Sequence, residues 1–156
     1  MILAHIMDET EKETVSAWKY EGAYELYNLP PYEVQKERGT AFTDPERAKN
    51  YYAYYEGGVL IGFTNLSEGV REVSVGIGVR PSLCGRGYGQ RILLRAAELA
   101  RDLYPGKPLS LEVRTWNRRA IRCYEKAGFQ IDGAPFERST PIGTGLFYRM
   151  VRDGPE

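Results

Sequence analysis

The junction Val79-Arg80-Pro81-Ser82-Leu83-Cys84-Gly85-Arg86-Gly87-Tyr88-Gly89-Gln90 constrains this chain more than any other stretch. Before it, Arg71 to Val79 is β-prone; after it, Ile92, Leu93, Ala96, Leu99, Ala100 and Leu103 recur at helical spacing. A strand must therefore end, pass through a glycine-rich turn and begin a long helix, Gly89 to Leu103, with one buried stripe. Pro105-Gly106 ends that helix. The first turn of a helix carries unpaired N–H donors and a partial positive charge, and glycines let phosphates approach the backbone. A diphosphate suits such a turn. A glycine connection without a ligand would satisfy the same pattern, so the turn needs support from elsewhere.

The remaining elements follow from periodicity and punctuation. Leu3 to Met7 reads as a short strand, and Asp8 or Thr10 then caps a helix running through Val15 and Trp18. Trp18, Tyr20, Tyr24, Tyr27 and Tyr32 fit neither period and read as loop plus short helix. Thr43-Asp44-Pro45-Glu46 predicts a brief helix to about Asn50. Tyr51 to Tyr55 and Val59 to Thr64 form a hairpin through Glu56-Gly57-Gly58, with Arg71 to Val79 as a third strand. Leu109 to Val113 is a strand, and Ala120, Ile121, Tyr124 and Ala127 mark a helix that stops at Gly128. Phe129 to Asp132 and Gly145 to Met150 are two more strands separated by a loop. The predicted class is α/β (α+β), a mixed, mostly antiparallel central sheet flanked by helices.

With 156 residues, 42% hydrophobic and 27% charged, the chain suits one domain, an acceptor-side segment about 1–50, a core about 51–130 and C-terminal strands about 129–152. Lys plus Arg equals Asp plus Glu at 21 each, so no overall field draws it to nucleic acid or an anionic membrane. No apolar run reaches the ~20 residues that span a bilayer, and Met1 to Met7 lacks signal-peptide features, so a cytoplasmic setting is expected. Cys84 and Cys123 have neither disulfide-framework nor zinc spacing, and no metal is expected. The single histidine, His5, has no cysteine or acidic cluster beside it in sequence and reads as structural or surface.

A dinucleotide fold would need a third glycine where the chain has Gln90, and no GxxxxGK[ST] occurs. The support comes instead from Asn117-Arg118-Arg119-Ala120-Ile121-Arg122-Cys123-Tyr124-Glu125-Lys126-Ala127-Gly128-Phe129. Asn117 can cap this helix, and Tyr124 follows two turns later on nearly the same face, so both can line one cleft. Together the two motifs resemble the GNAT superfamily of acyltransferases, whose coenzyme A loop reads [QR]-x-x-G-x-[GA] and whose next helix reads N-x-x-A-x-x-x-Y-x-x-x-G-F. Gly87 and Gly89 match the first; Asn117, Ala120, Tyr124, Gly128 and Phe129 match the second. Cys84 stands where Gln or Arg is usual.

The resemblance implies an acetyl-CoA-dependent N-acetyltransferase acting on a small-molecule or peptide amine. Ile77, Gly78 and Val79 would meet the acetyl-pantetheine arm through backbone groups, and Cys84, Gly85, Arg86, Gly87, Tyr88, Gly89 and Gln90 would wrap the diphosphate. Asn117 would hydrogen-bond the arm. Tyr124 would protonate the thiolate leaving group, and the Val79 N–H would polarise the thioester carbonyl. For the base that deprotonates the amine, Glu72, Glu112 and a water relay all stay open. A catalytically silent coenzyme A-binding module and a protein-interaction domain are the rival readings. Cys84, at a helix start beside Arg86, is expected to have a lowered pKa. The tyrosines at 20, 24, 27 and 32 with Trp18 either wall an acceptor cleft or pack a core, while Glu21, Glu25 and Glu33 either attract a cationic amine or are solvated. The late β-hairpin offers a surface for a homodimer.

Overall fold

A computed structural model describes residues 1–153. One eight-stranded sheet runs in the order β1-β2-β3-β4-β5-β8-β6, with β7 also paired to β8. The strands are β1 (Leu3–Ile6), β2 (Tyr51–Glu56), β3 (Val59–Glu68), β4 (Val73–Val79), β5 (Leu109–Arg114), β6 (Gln130–Ile131), β7 (Phe136–Thr140) and β8 (Gly143–Arg152). The helices are α1 (Glu9–Ser16), α2 (Tyr32–Arg38), α3 (Tyr88–Leu103) and α4 (Arg118–Lys126). Every strand pair is antiparallel except β4–β5, where the connection is the crossover helix α3. The mixed, mostly antiparallel sheet with flanking helices is the expected architecture.

Strand alternation divides the core in two. Tyr52 and Tyr54 point into a cluster with Ile61, Val73, Val75, Leu111, Val113 and the α3 residues Ile92, Leu93 and Ala96. Tyr51 and Ala53, one residue out of phase, point to the opposite face and pack with Met7, Val15, Tyr32 and Phe42. The first face thus carries α3 and α4, and the second carries α1 and α2. Gly57 and Gly58 take φ of +58° and +79°, the left-handed pair that a two-residue hairpin turn requires.

Several boundaries differ from those expected. β3 continues past Thr64 to Glu68 because β4 pairs with it along its whole length, and β4 begins at Val73 rather than Arg71. α1 stops at Ser16, before Trp18. No α-helix starts at Pro45; two short 3-10 helices, Ala41–Thr43 and Ala48–Asn50, take its place, the second ending at the expected Asn50. The Thr43 hydroxyl turns back to the Gln35 carbonyl at 2.7 Å instead of capping forward. β7 lies in what the sequence presents as loop, an exposed strand with few apolar residues to mark it. His5, which has no acid adjacent in sequence, lies 2.7 Å from the Glu11 carboxylate once α1 folds over β1. Glu11 also caps the Asp8 N–H and accepts from the Tyr55 hydroxyl, so its oxygens are engaged within the protein.

Candidate active site

The site arises where β4 and β5 part. Their parallel ladder pairs Val73 with Leu109 and Ser74 with Ser110 and goes no further, although β4 runs on to Val79. On the other edge the Arg80 N–H bonds the Ile61 carbonyl at 2.8 Å, which fixes the phase of the β3–β4 ladder. Antiparallel pairs alternate between bonded and non-bonded, so at Val79 and Ile77 both backbone groups point away from β3, into the gap beside β5. The Val79 carbonyl there accepts the Tyr20 hydroxyl at 2.7 Å. Its N–H stays directed at the gap.

A cavity of about 580 Å³ occupies this gap and is lined by Ile77, Gly78, Val79, Cys84, Gly85, Gly87, Gly89 and Gln90 on one side. Glu112, Arg114, Asn117, Arg119 and Tyr124 line the other. Gly85 and Gly87 have φ of +79° and +83°, and a Cβ on either would meet open space, so the turn is shaped by conformation and leaves room before it. Gly87 is the N-cap of α3 and has no side chain to satisfy the first turn; the Arg91 N–H is the first donor returned to it, at 3.3 Å. The N–H groups of the opening turn are therefore available to an anion. At Gly89 the need is steric, since a Cβ would come within 2.7 Å of the Cys123 sulfur on α4. Asn117 is the cap expected, accepting the Ala120 N–H at 3.2 Å, and its amide also donates to the Tyr27 hydroxyl at 3.1 Å. Tyr124 projects from the same helix, and its hydroxyl has no hydrogen-bond partner among the described residues.

The description "Acetyltransferase (GNAT) family" matches residues 9–129, which include both motifs and all of this lining up to Tyr124. The chain belongs to the GNAT acetyltransferase family. It is 38% identical over 110 residues to the N-alpha-acetyltransferase RimI of Mycobacterium tuberculosis, a match spanning 67% of this chain and 66% of that protein. An aminoglycoside acetyltransferase in complex with coenzyme A and kanamycin shares the fold, with a TM-score of 0.75 and 21% identity over 98% of this chain and 95% of its own. The ribosomal-protein-S18-alanine N-acetyltransferase of Escherichia coli does so with a TM-score of 0.67 and 18% identity, covering 100% of this chain and 96% of its own.

Within this GNAT scaffold the two carboxylates separate. Glu72 precedes β4 and is absent from the cavity lining; both of its oxygens are held by Arg149 of β8, at 2.7 and 2.8 Å. Those hydrogen bonds pull its pKa below the ordinary 4.5. Stability from this pair is thus complete above the unfolded carboxyl's pKa and is lost as pH falls through the depressed folded value. Glu72→Gln is expected to lower stability by at most about 1 kcal/mol at pH 7, because Arg149 and Glu72 are 39% and 29% exposed. Thermal melts of both proteins should converge in acid. Glu112, by contrast, lines the cavity and pairs with Arg138 of β7.

Cys84 reverses the expectation of a lowered pKa. Burial pushes its thiol up, against a weaker opposing effect of Arg119, and its sulfur packs 3.8 Å from the Val79 carbonyl instead of at the open helix start. Burial likewise raises the phenols of Tyr124, Tyr20 and Tyr27, which keeps all three protonated at neutral pH. Arg86 and Tyr88 do not line the cavity, nor do Trp18 and Tyr32; Tyr20, Tyr24 and Tyr27 do. Glu21, Glu25 and Glu33 are also absent from that lining. No local sequence pattern marks the basic lining, Arg114, Arg119, Arg122 and Lys126. Arg119 lies 4.0 Å over the Tyr24 ring, a pairing across 95 residues of chain that no local pattern encodes.

Proposed function

We propose that this chain transfers the acetyl group of acetyl-CoA to a primary amine by direct attack within a ternary complex. The observation that carries this reading is a single cavity lined by the glycine turn, the parted Ile77–Val79 backbone, Tyr124 and Glu112. The residues present fit coenzyme A: the first-turn donors of α3 suit a diphosphate, and the gap beside β4 offers outward-facing N–H groups to the arm. Acetyl-CoA supplies the activated acyl group. The Val79 N–H donates to the acyl oxygen as negative charge builds on it. Tyr124, protonated at neutral pH, gives its hydroxyl proton to the departing sulfur. Glu112 takes a proton from the acceptor ammonium, directly or through water, because it lines the cavity and Glu72 does not. An α-amino group is the first acceptor to test, since the relative from Mycobacterium tuberculosis is named an N-alpha-acetyltransferase. The acceptor-side segment, the core and the last strands act in this reading as one domain, and a cytoplasmic setting remains part of it.

The test is thiol release from acetyl-CoA in the presence of α-amine peptides, alongside acetyl-CoA titration. Glu112→Gln should lower kcat/KM by about 100-fold or more and change the pH dependence, whereas Glu72→Gln should leave both within about threefold. Acetyl-CoA binding with no release from any amine would leave a silent binding module. No binding would leave an interaction domain.

A further inference from the structure

We propose that Arg114 makes this enzyme select amines that carry a carboxylate close to the reacting nitrogen. The inference rests on the acetyltransferase reading and names the acceptor class. Arg114 ends β5 and faces the cavity from the side that carries α1 and α2, two residues beyond Glu112 and on the same sheet face. Three arginines populate this face of β5, β7 and β8. Arg138 is paired with Glu112, and Arg149 with Glu72 and Asp132. Arg114 alone of the three has no carboxylate partner among the described residues.

Its guanidinium is nevertheless fixed in place. It lies 4.8 Å over the ring of Phe147, its cross-strand partner, and donates to the Thr140 hydroxyl at 3.4 Å. Gly145 makes room for it, since a Cβ there would collide with Nη1. An aromatic floor, a missing side chain and one weak hydrogen bond thus hold a planar cation against the cavity wall with most of its donors unmatched. A guanidinium in that state binds a carboxylate through charge-assisted hydrogen bonds, often two at once.

The distance to Glu112 sets the rest of the pattern. Residues two apart on a strand are spaced by about 7 Å on one face. An amine delivered to Glu112 therefore places Arg114 within reach of a carboxylate roughly one residue away. Two sources share this chemistry, the α-carboxylate of a free amino acid and an acidic side chain at the start of a peptide. Polycationic amines are disfavoured, because Arg114 would repel their second charge and Glu112, the only carboxylate in the lining among the described residues, already pairs with Arg138.

The experiment measures binding of short amidated peptides beginning with Glu, Gln or Lys, and of free glutamine and its amide, to the coenzyme A-loaded protein. Turnover of each is followed in parallel. The Glu peptide is expected to bind about 10-fold or more tightly than the Gln peptide, and the Lys peptide more weakly than both. Arg114→Met should cost the Glu peptide about 10- to 100-fold and the Gln peptide less than about threefold, with Arg114→Lys recovering part of the loss. Tight binding of free glutamine but not its amide would assign the α-carboxylate; preference among amidated peptides assigns the side chain. Equal losses for all ligands in Arg114→Met, equal binding of Glu and Lys peptides together with equal binding of free glutamine and its amide, or loss of coenzyme A binding in the variant would each overturn the proposal. If the native protein binds no coenzyme A, the acetyltransferase reading fails, and the same peptide titrations on the free protein still decide the role of Arg114.

Discussion

Replacing Gly87 by tryptophan should weaken acetyl-CoA binding by at least about 100-fold in a calorimetric titration. Two effects act at this position. Its φ of +83° is left-handed, where a side chain costs about 1–2 kcal/mol. Its Cβ direction is also open, so the indole would not be forced into the core but would stand in front of the α3 donors. The two effects are separable, because Gly106 has φ of +82°, equally open space, and no part in the cavity lining. Gly106→Trp should lower the melting temperature about as much as Gly87→Trp and leave acetyl-CoA binding unchanged. Equal loss of binding in both would mean that Gly87→Trp acts by destabilising the fold and not by obstructing the turn.

Tyr124→Phe should reduce kcat by about 100- to 10,000-fold while acetyl-CoA affinity stays within about threefold. The hydroxyl has no hydrogen-bond partner among the described residues, so its removal breaks no hydrogen bond there, and the ring keeps its packing against Phe129, with centroids 6.5 Å apart. Burial pushes the phenol's pKa up, so the proton stays on at neutral pH, as the proposed donor to a departing thiolate requires. Stopped-assay thiol release with saturating acetyl-CoA measures the effect. A kcat within about threefold of the native value would move the proton donor to water.

The sheet, the two main helices and the glycine turn were legible because each is written locally. A β-prone aromatic run marks β2, alternation marks β4, a helical stripe marks α3, and Asn117 and Gly128 bracket α4. The errors share a cause. Asp44 and Pro45 looked like a helix start, but Thr43 bonds back to Gln35, a residue whose own place depends on the packing of α2. Cys84 was assigned an electropositive helix start, yet its side chain turns toward the β4 carbonyls, which only the fold brings near. Glu72 and Glu112 could not be ranked from sequence because their difference lies in tertiary partners, Arg149 for the first and an open cavity wall for the second. The basic lining escaped for the same reason: Arg114 acquires its orientation from Phe147 and Gly145, over 30 residues later in the chain.

The short β4–β5 ladder also has a mechanical meaning. Strands β1 to β4 form one plate and β5 to β8 another, each laced along its length by antiparallel pairing. Among the described residues the only backbone rungs that join them are at Val73 and Ser74, with Lys107 clasping Glu68 and Gly69 and Arg149 clasping Glu72 at that same end. The two plates part like the arms of a clothes peg, closed at the base and open at Val79 and Arg114. The open end is bridged instead by the segment 20–27, with Tyr20 anchored to Val79 on one plate and Tyr27 to Asn117 beyond the end of the other, so this tyrosine segment replaces the missing rungs as the tie across the gap.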